Sequence, residues 1–212
     1  MKMYWVKTGR FIKSLFPGFV WDMPNTQRTV YLTFDDGPTP EVTEWTLGIL
    51  AQHDIKATFF CIGKNIEANP EIFAKVAAAG HSIGNHTFNH LNGWKNEYNA
   101  YIENFDACET SINSRLDNPK KLFRPPYGKI KTAQAATVRK KGYKIIMWDV
   151  LSADFDQTIT PEKCLQNVLD ATCEGSIIIF HDSVKASANL RYALPRTIEK
   201  LKEKGFRFEA LT

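Results

Sequence analysis

Two adjacent carboxylates close an apolar run in Thr33-Phe34-Asp35-Asp36-Gly37-Pro38, and two histidines stand four positions apart in His86-Thr87-Phe88-Asn89-His90. Neighbouring Asp side chains repel each other unless positive charge is supplied, and a divalent metal ion supplies it at short range. Histidines at i and i+4 share one face of a helical turn, so the spacing predicts two imidazoles presented together to a transition metal. One Asp with two His makes three ligands and leaves a coordination position for water, which is the requirement of hydrolysis. The plainer alternatives are surface histidines on a loop and a turn-forming Asp before Gly-Pro, but a turn explains one Asp and not the pair.

The hydrophobic pattern sets these groups on a repeating β–α frame. Strands are expected at Thr29 to Phe34, Lys56 to Ile62, Ser82 to Gly84, Leu122-Phe123, Tyr143 to Trp148, Ser176 to Phe180 and Phe206 to Glu209. Helices are expected at Glu41 to Gln52, Pro70 to Ala79 before Gly80, about Glu97 to Arg115, Thr132 to Lys141 before Gly142, Pro161 to Ala171 and about Leu190 to Lys204. About seven βα steps predict an α/β protein, a distorted (β/α) barrel of parallel strands with helices outside, closed or nearly so. Asp35-Asp36, His86 and His90, Arg124 to Gly128, Asp154 and His181 all follow predicted strands, at the edge where parallel barrels assemble active sites.

With 212 residues and 43% hydrophobic composition, one core is expected, in a domain over 29–212 preceded by an N-terminal arm over 1–28. The net charge of +4 is mild and dispersed, which argues against a nucleic-acid groove, and no transmembrane run or obligate protein partner is evident. Cys61, Cys108, Cys164 and Cys173 lack CxxC spacing and are expected to be free and mostly buried, with a Cys164–Cys173 pairing open only after export. Met1 to Val20 mixes Lys and Arg with aromatics and has no unbroken signal-type apolar run, so the cytoplasm is favoured over export. This segment is expected to be an amphipathic arm packed on the domain, with a membrane-surface helix as the sharper alternative.

In its motifs the chain resembles the polysaccharide deacetylases of carbohydrate esterase family 4, which share the NodB homology domain. Thr33 to Pro38 matches the first motif, His86 to His90 the second and Arg124-Pro125-Pro126-Tyr127-Gly128 the third. Asp154-Phe155 stands where the fourth usually has Asp-Trp, and Ile177-Ile178-Ile179-Phe180-His181 is close to the fifth. The resemblance runs from about Thr29 to the end and implies one divalent metal held by Asp36, His86 and His90. Zn²⁺ is the first expectation, while Co²⁺, Ni²⁺ and Mn²⁺ suit the same donors.

The resemblance further implies that Asp35 is the base, ionised and oriented by Arg124, and that the Tyr127 backbone N–H stabilises the oxyanion. His181 would be the acid and Asp154 its orienting carboxylate. Pro126, Tyr127, Phe155 and Ile179 would meet the substrate, the last two forming an apolar acetyl pocket in place of the usual Trp and Leu. Asp182 is a rival to Asp154 but is expected to be a solvated loop carboxylate. His53 and His81 are expected to be ordinary surface or helix-end residues, and Trp148 a core residue. Trp94 either stacks on a sugar or packs on its own domain. The implied activity removes N-acetyl groups from N-acetylglucosamine-containing glycans, either peptidoglycan or chitin-type oligosaccharides. O-acetyl ester hydrolysis on acetylated xylan and a non-catalytic carbohydrate-binding barrel are the alternatives.

Overall fold

A computed structural model describes residues 5–24, 27–117 and 119–212. In chain order the elements are α1 (Arg10–Leu15), β1 (Thr29–Asp35), α2 (Val42–Gln52), β2 (Thr58–Cys61), α3 (Gly63–Ala68), α4 (Pro70–Ala78), β3 (Ser82–Asn85), α5 (Tyr98–Asn113) and β4 (Leu122–Phe123). They continue with α6 (Thr132–Lys140), β5 (Lys144–Ile145), β6 (Val150–Leu151), α7 (Pro161–Ala171), β7 (Ile177–His181), α8 (Ser187–Glu203) and β8 (Arg207–Phe208). Seven parallel strands run in the order β5-β4-β3-β2-β1-β7-β6, and β8 pairs with the start of β1. The sheet curls into the distorted barrel that the β–α alternation predicts.

Every residue of β1 is buried, because alternate side chains enter two different cores. Val30, Leu32 and Phe34 join Phe59, Ile178 and Phe180 under the helices, whereas Tyr31 joins Phe60, Leu122, Ile146, Ile177 and Leu211 inside the curl. A strand covered on both faces reads as a continuous apolar run, which is the pattern of parallel sheets. α7 begins with Pro161 behind Thr160, whose hydroxyl accepts from the Lys163 N–H. Gly80 and Gly142 follow α4 and α6 with φ of 74° and 88°, the left-handed conformation that ends helices.

The strand expected over Tyr143 to Trp148 is divided: β5 covers only Lys144–Ile145, and β6 begins at Val150. These two are the edges of the sheet, and the N-terminal arm fills the seam between them. The Val20 N–H donates to Ile145 O and its carbonyl accepts from Met147 N, at 2.8 and 2.7 Å. On the other side Thr8 N donates to Asp149 O and Leu151 N to Val6 O, at 2.9 and 2.8 Å. Asp149, 1% exposed, lies in this seam and is bound by Lys7, Lys13 and Ser176 Oγ. After Ile145 the neighbour of the chain is therefore the arm, through an isolated bridge between Val20 and Ile146, and not β6.

Helix α3, six residues long, is an addition to the sequence reading, since it is too short to show a helical period. Trp148 is half-buried between β5 and β6, outside any strand, and not in the core as expected. All four cysteines are free thiols, three of them buried and Cys173 exposed. Among the described residues no helix is long and apolar enough to cross a membrane.

Candidate active site

Asp35 is the last residue of β1, and Asp36 follows it with φ of 84°. His86 directly follows β3. The histidines are not on a helical turn: residues 86–90 form a loop in which Thr87 and His90 have φ of 61° and 56°. Asn85 Oδ1 accepts from Thr87 N at 2.8 Å and Thr87 Oγ1 from Leu91 N at 3.0 Å, which holds this loop in a left-handed conformation unfavourable for its residues. The spacing of four thus brings the rings together, with centroids 5.0 Å apart, by a different local route.

Asp36 Oδ1 lies 3.3 Å from His90 Nε2 and 3.8 Å from His86 Nε2. One ligand atom from each of Asp36, His86 and His90 falls within 4.8 Å of the others. Asp36 Oδ1 is buried yet has no hydrogen-bond partner among the described residues, a costly state for a carboxylate oxygen that a cation would relieve. His86 Nδ1 lies 2.7 Å from the Arg124 carbonyl, which only accepts, so Nδ1 carries the proton and Nε2 keeps its lone pair for a ligand. Burial pushes the pKa of both His86 and His90 below the usual imidazole value, favouring the neutral form that binds metal. The donor set fits one divalent ion.

Beside the cage, Arg124 is fully buried, which rules out a solvated charge at a strand end. Its guanidinium donates to Asp35 Oδ1 and Thr33 Oγ1, both at 2.7 Å, to Met147 O at 2.8 Å and to Ile146 O at 3.3 Å, above the Phe60 ring. These contacts fix Asp35 from one side. Asp35 Oδ2 is left 3.7 Å from His86 Nε2, facing the cage.

On the neighbouring strand, in register with Asp35, His181 ends β7 and its Nδ1 lies 2.7 Å from Asp154 Oδ1, while its backbone N–H donates to Asp154 Oδ2 at 2.7 Å. Burial alone would lower the His181 pKa, but the buried Asp154 carboxylate outweighs it and raises the value to about 9. Phe155 meets the His181 ring edge-on at 5.0 Å, and Phe155, Ile179, Leu151 and Trp148 pack into one apolar cluster. Pro126 is buried, whereas Tyr127 is 58% exposed with φ of 60°, its hydroxyl 3.1 Å from His90 Nδ1. Trp94 is exposed at the cleft rim, its Nε1 donating to Ile130 O.

Asp182 is not the solvated loop carboxylate expected. It is fully buried, accepts from Gly37 N at 3.0 Å and from Thr43 Oγ1 at 2.5 Å, and burial raises its pKa to about 7. A Cβ at Gly37 would sit 2.0 Å from Asp182 Oδ2, so only glycine lets the Asp35-Asp36 turn approach this anchor. The position of Asp182 immediately after His181 was the one signal for it in the sequence. His81 is half-buried and accepts from the Ala57 N–H through Nδ1, a structural role outside the site.

A carboxylate–guanidinium pair and a carboxylate–imidazole pair beside an unsatisfied cage have the chemistry to serve as a base, an acid and a place for a Lewis acid. Set at the carboxyl ends of barrel strands, they define a hydrolase of the (β/α)-barrel class. Within that class the chain belongs to the polysaccharide deacetylase family, whose model matches residues 22–146. A peptidoglycan-N-acetylglucosamine deacetylase of Bacillus cereus is 34% identical over 92% of this chain and 93% of its own. A chitooligosaccharide deacetylase of Azorhizobium caulinodans is 34% identical over 87% of this chain and 93% of its own. The crystal structure of a peptidoglycan N-acetylglucosamine deacetylase superposes with a TM-score of 0.87 at 34% identity, covering 92% of this chain and 91% of that one.

Proposed function

We propose that this carbohydrate deacetylase hydrolyses the N-acetyl groups of N-acetylglucosamine-containing glycans, of the peptidoglycan or chitin type named for its relatives. The observation that carries the site assignment is the buried, unpartnered Asp36 Oδ1 between two neutral imidazoles, beside an Asp35 with one oxygen free. Asp36, His86 and His90 would hold the divalent ion, which when bound acidifies water and polarises a carbonyl.

Asp35 takes the proton of the attacking water at Oδ2, while Arg124 holds Oδ1 and orients the carboxylate. The Tyr127 N–H, without an acceptor among the described residues, donates to the oxyanion, and the two prolines before it limit the freedom of that turn. Phe155 and Ile179 exclude water around the acetyl methyl. His181 gives its proton to the departing nitrogen from Nε2, and Asp154 at Nδ1 fixes that tautomer. An amine must be protonated to leave, so a histidine held in its charged form at neutral pH suits an amide better than an ester.

Stripping metal with a chelator should reduce acetate release from N-acetylated chito-oligomers to background, with recovery on adding Zn²⁺, Co²⁺, Ni²⁺ or Mn²⁺ and a higher Tm in the reloaded protein. A panel of chito-oligomers, peptidoglycan fragments and acetyl-xylan separates the N-acetyl reading from an O-acetyl one. Glycan binding without acetate from any of them would leave a non-catalytic binding barrel.

A further inference from the structure

The cleft that contains Asp35, Asp36, His86 and His181 continues beyond them to Trp5, Ile12 and Phe16 of the N-terminal arm, with a volume of about 1360 Å³. That exceeds the roughly 300–1,000 Å³ of a pocket for one drug-sized ligand. Trp148 joins its two ends, packing on the Leu151, Ala153 and Ile179 cluster at one side and on the cluster bordered by Phe19 and Trp21 at the other. Phe16, Phe19 and Trp21 stand against one another with centroids 5.6 to 6.5 Å apart.

Helix α1 buries no residue, so its apolar side chains do not hold the arm in place. The arm is fixed instead by its seam hydrogen bonds, by Lys7 and Lys13 on Asp149, and by Phe19, Val20, Trp21 and Met23 packed on the core beyond the helix. Trp5 and Phe16 consequently stand on a segment tied to the barrel while 65% and 47% exposed. Grouped aromatic exposure along a cleft marks a binding surface where scattered exposure does not. Holding the rings in advance removes most of the ordering cost of a ligand stacked on them.

We propose that the arm forms accessory sugar-binding subsites, with Trp5 and Phe16 stacking on pyranose rings of an extended N-acetylglucosamine oligomer whose acetylated residue sits at the metal cage. The proposal rests on the deacetylase reading above and extends it, making chain length a property set by residues outside the catalytic motifs. Amphipathic pyranose rings suit such a wall, apolar on their C–H faces and polar at their edges. Lys129, Lys131 and Ser183 along the same cleft give those edges hydrogen-bond donors.

The test compares kcat/KM on the N-acetylglucosamine hexamer and dimer for the metal-loaded protein, Trp5→Ala/Phe16→Ala and Phe11→Ala. Phe11, on α1 between Trp5 and Phe16 in sequence, is 73% exposed but does not line the cleft. The double variant should lose about tenfold or more on the hexamer, mainly through KM, and less than about twofold on the dimer. Phe11→Ala should change neither. Equal losses on both substrates, or none on either, overturn the proposal. So does a loss of binding to anionic phospholipid vesicles with unchanged kinetics, which would make the arm a membrane-surface element. If the parent protein releases no acetate, the deacetylase reading fails alone, and calorimetric hexamer binding by the same variants still decides the arm's role.

Discussion

Asp35 and Asp149 are both buried carboxylates, 2% and 1% exposed, each held by cations from a distant part of the chain. At Asp149 both oxygens are used: Oδ1 binds Lys13, and Oδ2 binds Lys7 and Ser176 Oγ. At Asp35 the hydrogen bonding among the described residues is at Oδ1, from an Arg124 that also donates to Thr33, Ile146 and Met147, and Oδ2 faces the cage. The same electrostatic device closes a barrel seam when it is saturated and presents a carboxylate oxygen to the cage when one acceptor is left over. Lys7 and Lys13 reach Asp149 from partly exposed positions, whereas Arg124 is enclosed and cannot exchange its carboxylate for water.

Exchanging charge for an amide at each position tests this contrast. Asp35→Asn should cost about 10²–10⁴ in kcat, the range for a lost general base, while its amide oxygen still accepts from Arg124 and the protein stays folded. A variant with kcat within about threefold of the parent would remove Asp35 from the chemistry. Asp154→Asn comes next. In the metal-free protein NMR should place the His181 pKa near 9 in the parent and well below that in the variant, because burial is then opposed only by Asp36 and Asp35. No downward shift would show that another group sustains it.

Asp149→Asn should leave kcat on a short substrate within about twofold but cost about 1–3 kcal/mol in urea unfolding, the scale of hydrogen bonds to a charged group. The two pairs also diverge in pH. His181 has a raised folded pKa, so its pairing stabilises the metal-free protein fully below about pH 6.5 and loses that effect as pH rises through about 9. For Asp149, burial opposes ionisation but Lys13, Lys7 and Ser176 prevail and lower the pKa, so its contribution is present above the unfolded value of 3.8 and fades on acidification below it. Unfolding titrations of the two variants should therefore converge on the parent at opposite ends of the pH range.

The strand ends and the residues just beyond them were legible because each motif follows an apolar run, and in a parallel barrel those ends share one rim. The loops at that rim were not. Asp36, Thr87, His90, Tyr127 and Ala153 all have positive φ, which costs about 1–3 kcal/mol for a side chain outside glycine and is imposed by surrounding contacts, not by local preference. This is why an i, i+4 spacing suggested a helix where a left-handed loop stands. Asp182 was misjudged for a related reason: a carboxylate after a strand reads as solvated unless the Gly37 N–H and Thr43 hydroxyl, 145 and 139 positions away, are known to meet it.

By itself the sequence determined the β–α alternation, the family and the identity of the donors, since hydrophobic period and residue chemistry act locally. Only the tertiary structure decided which carboxylate oxygen is left unpaired, how the histidine loop turns, and that residues 5–24 complete the barrel wall and extend the cleft. The unpaired oxygen and the closed seam depend on ion pairs between distant segments, Arg124 with Asp35 across 89 positions and Lys7 with Asp149 across 142, while the histidine loop is held by side-chain hydrogen bonds from Asn85 and Thr87 that form in the folded chain. No local pattern encodes such pairings, because the free energy that selects them exists only once the chain has folded.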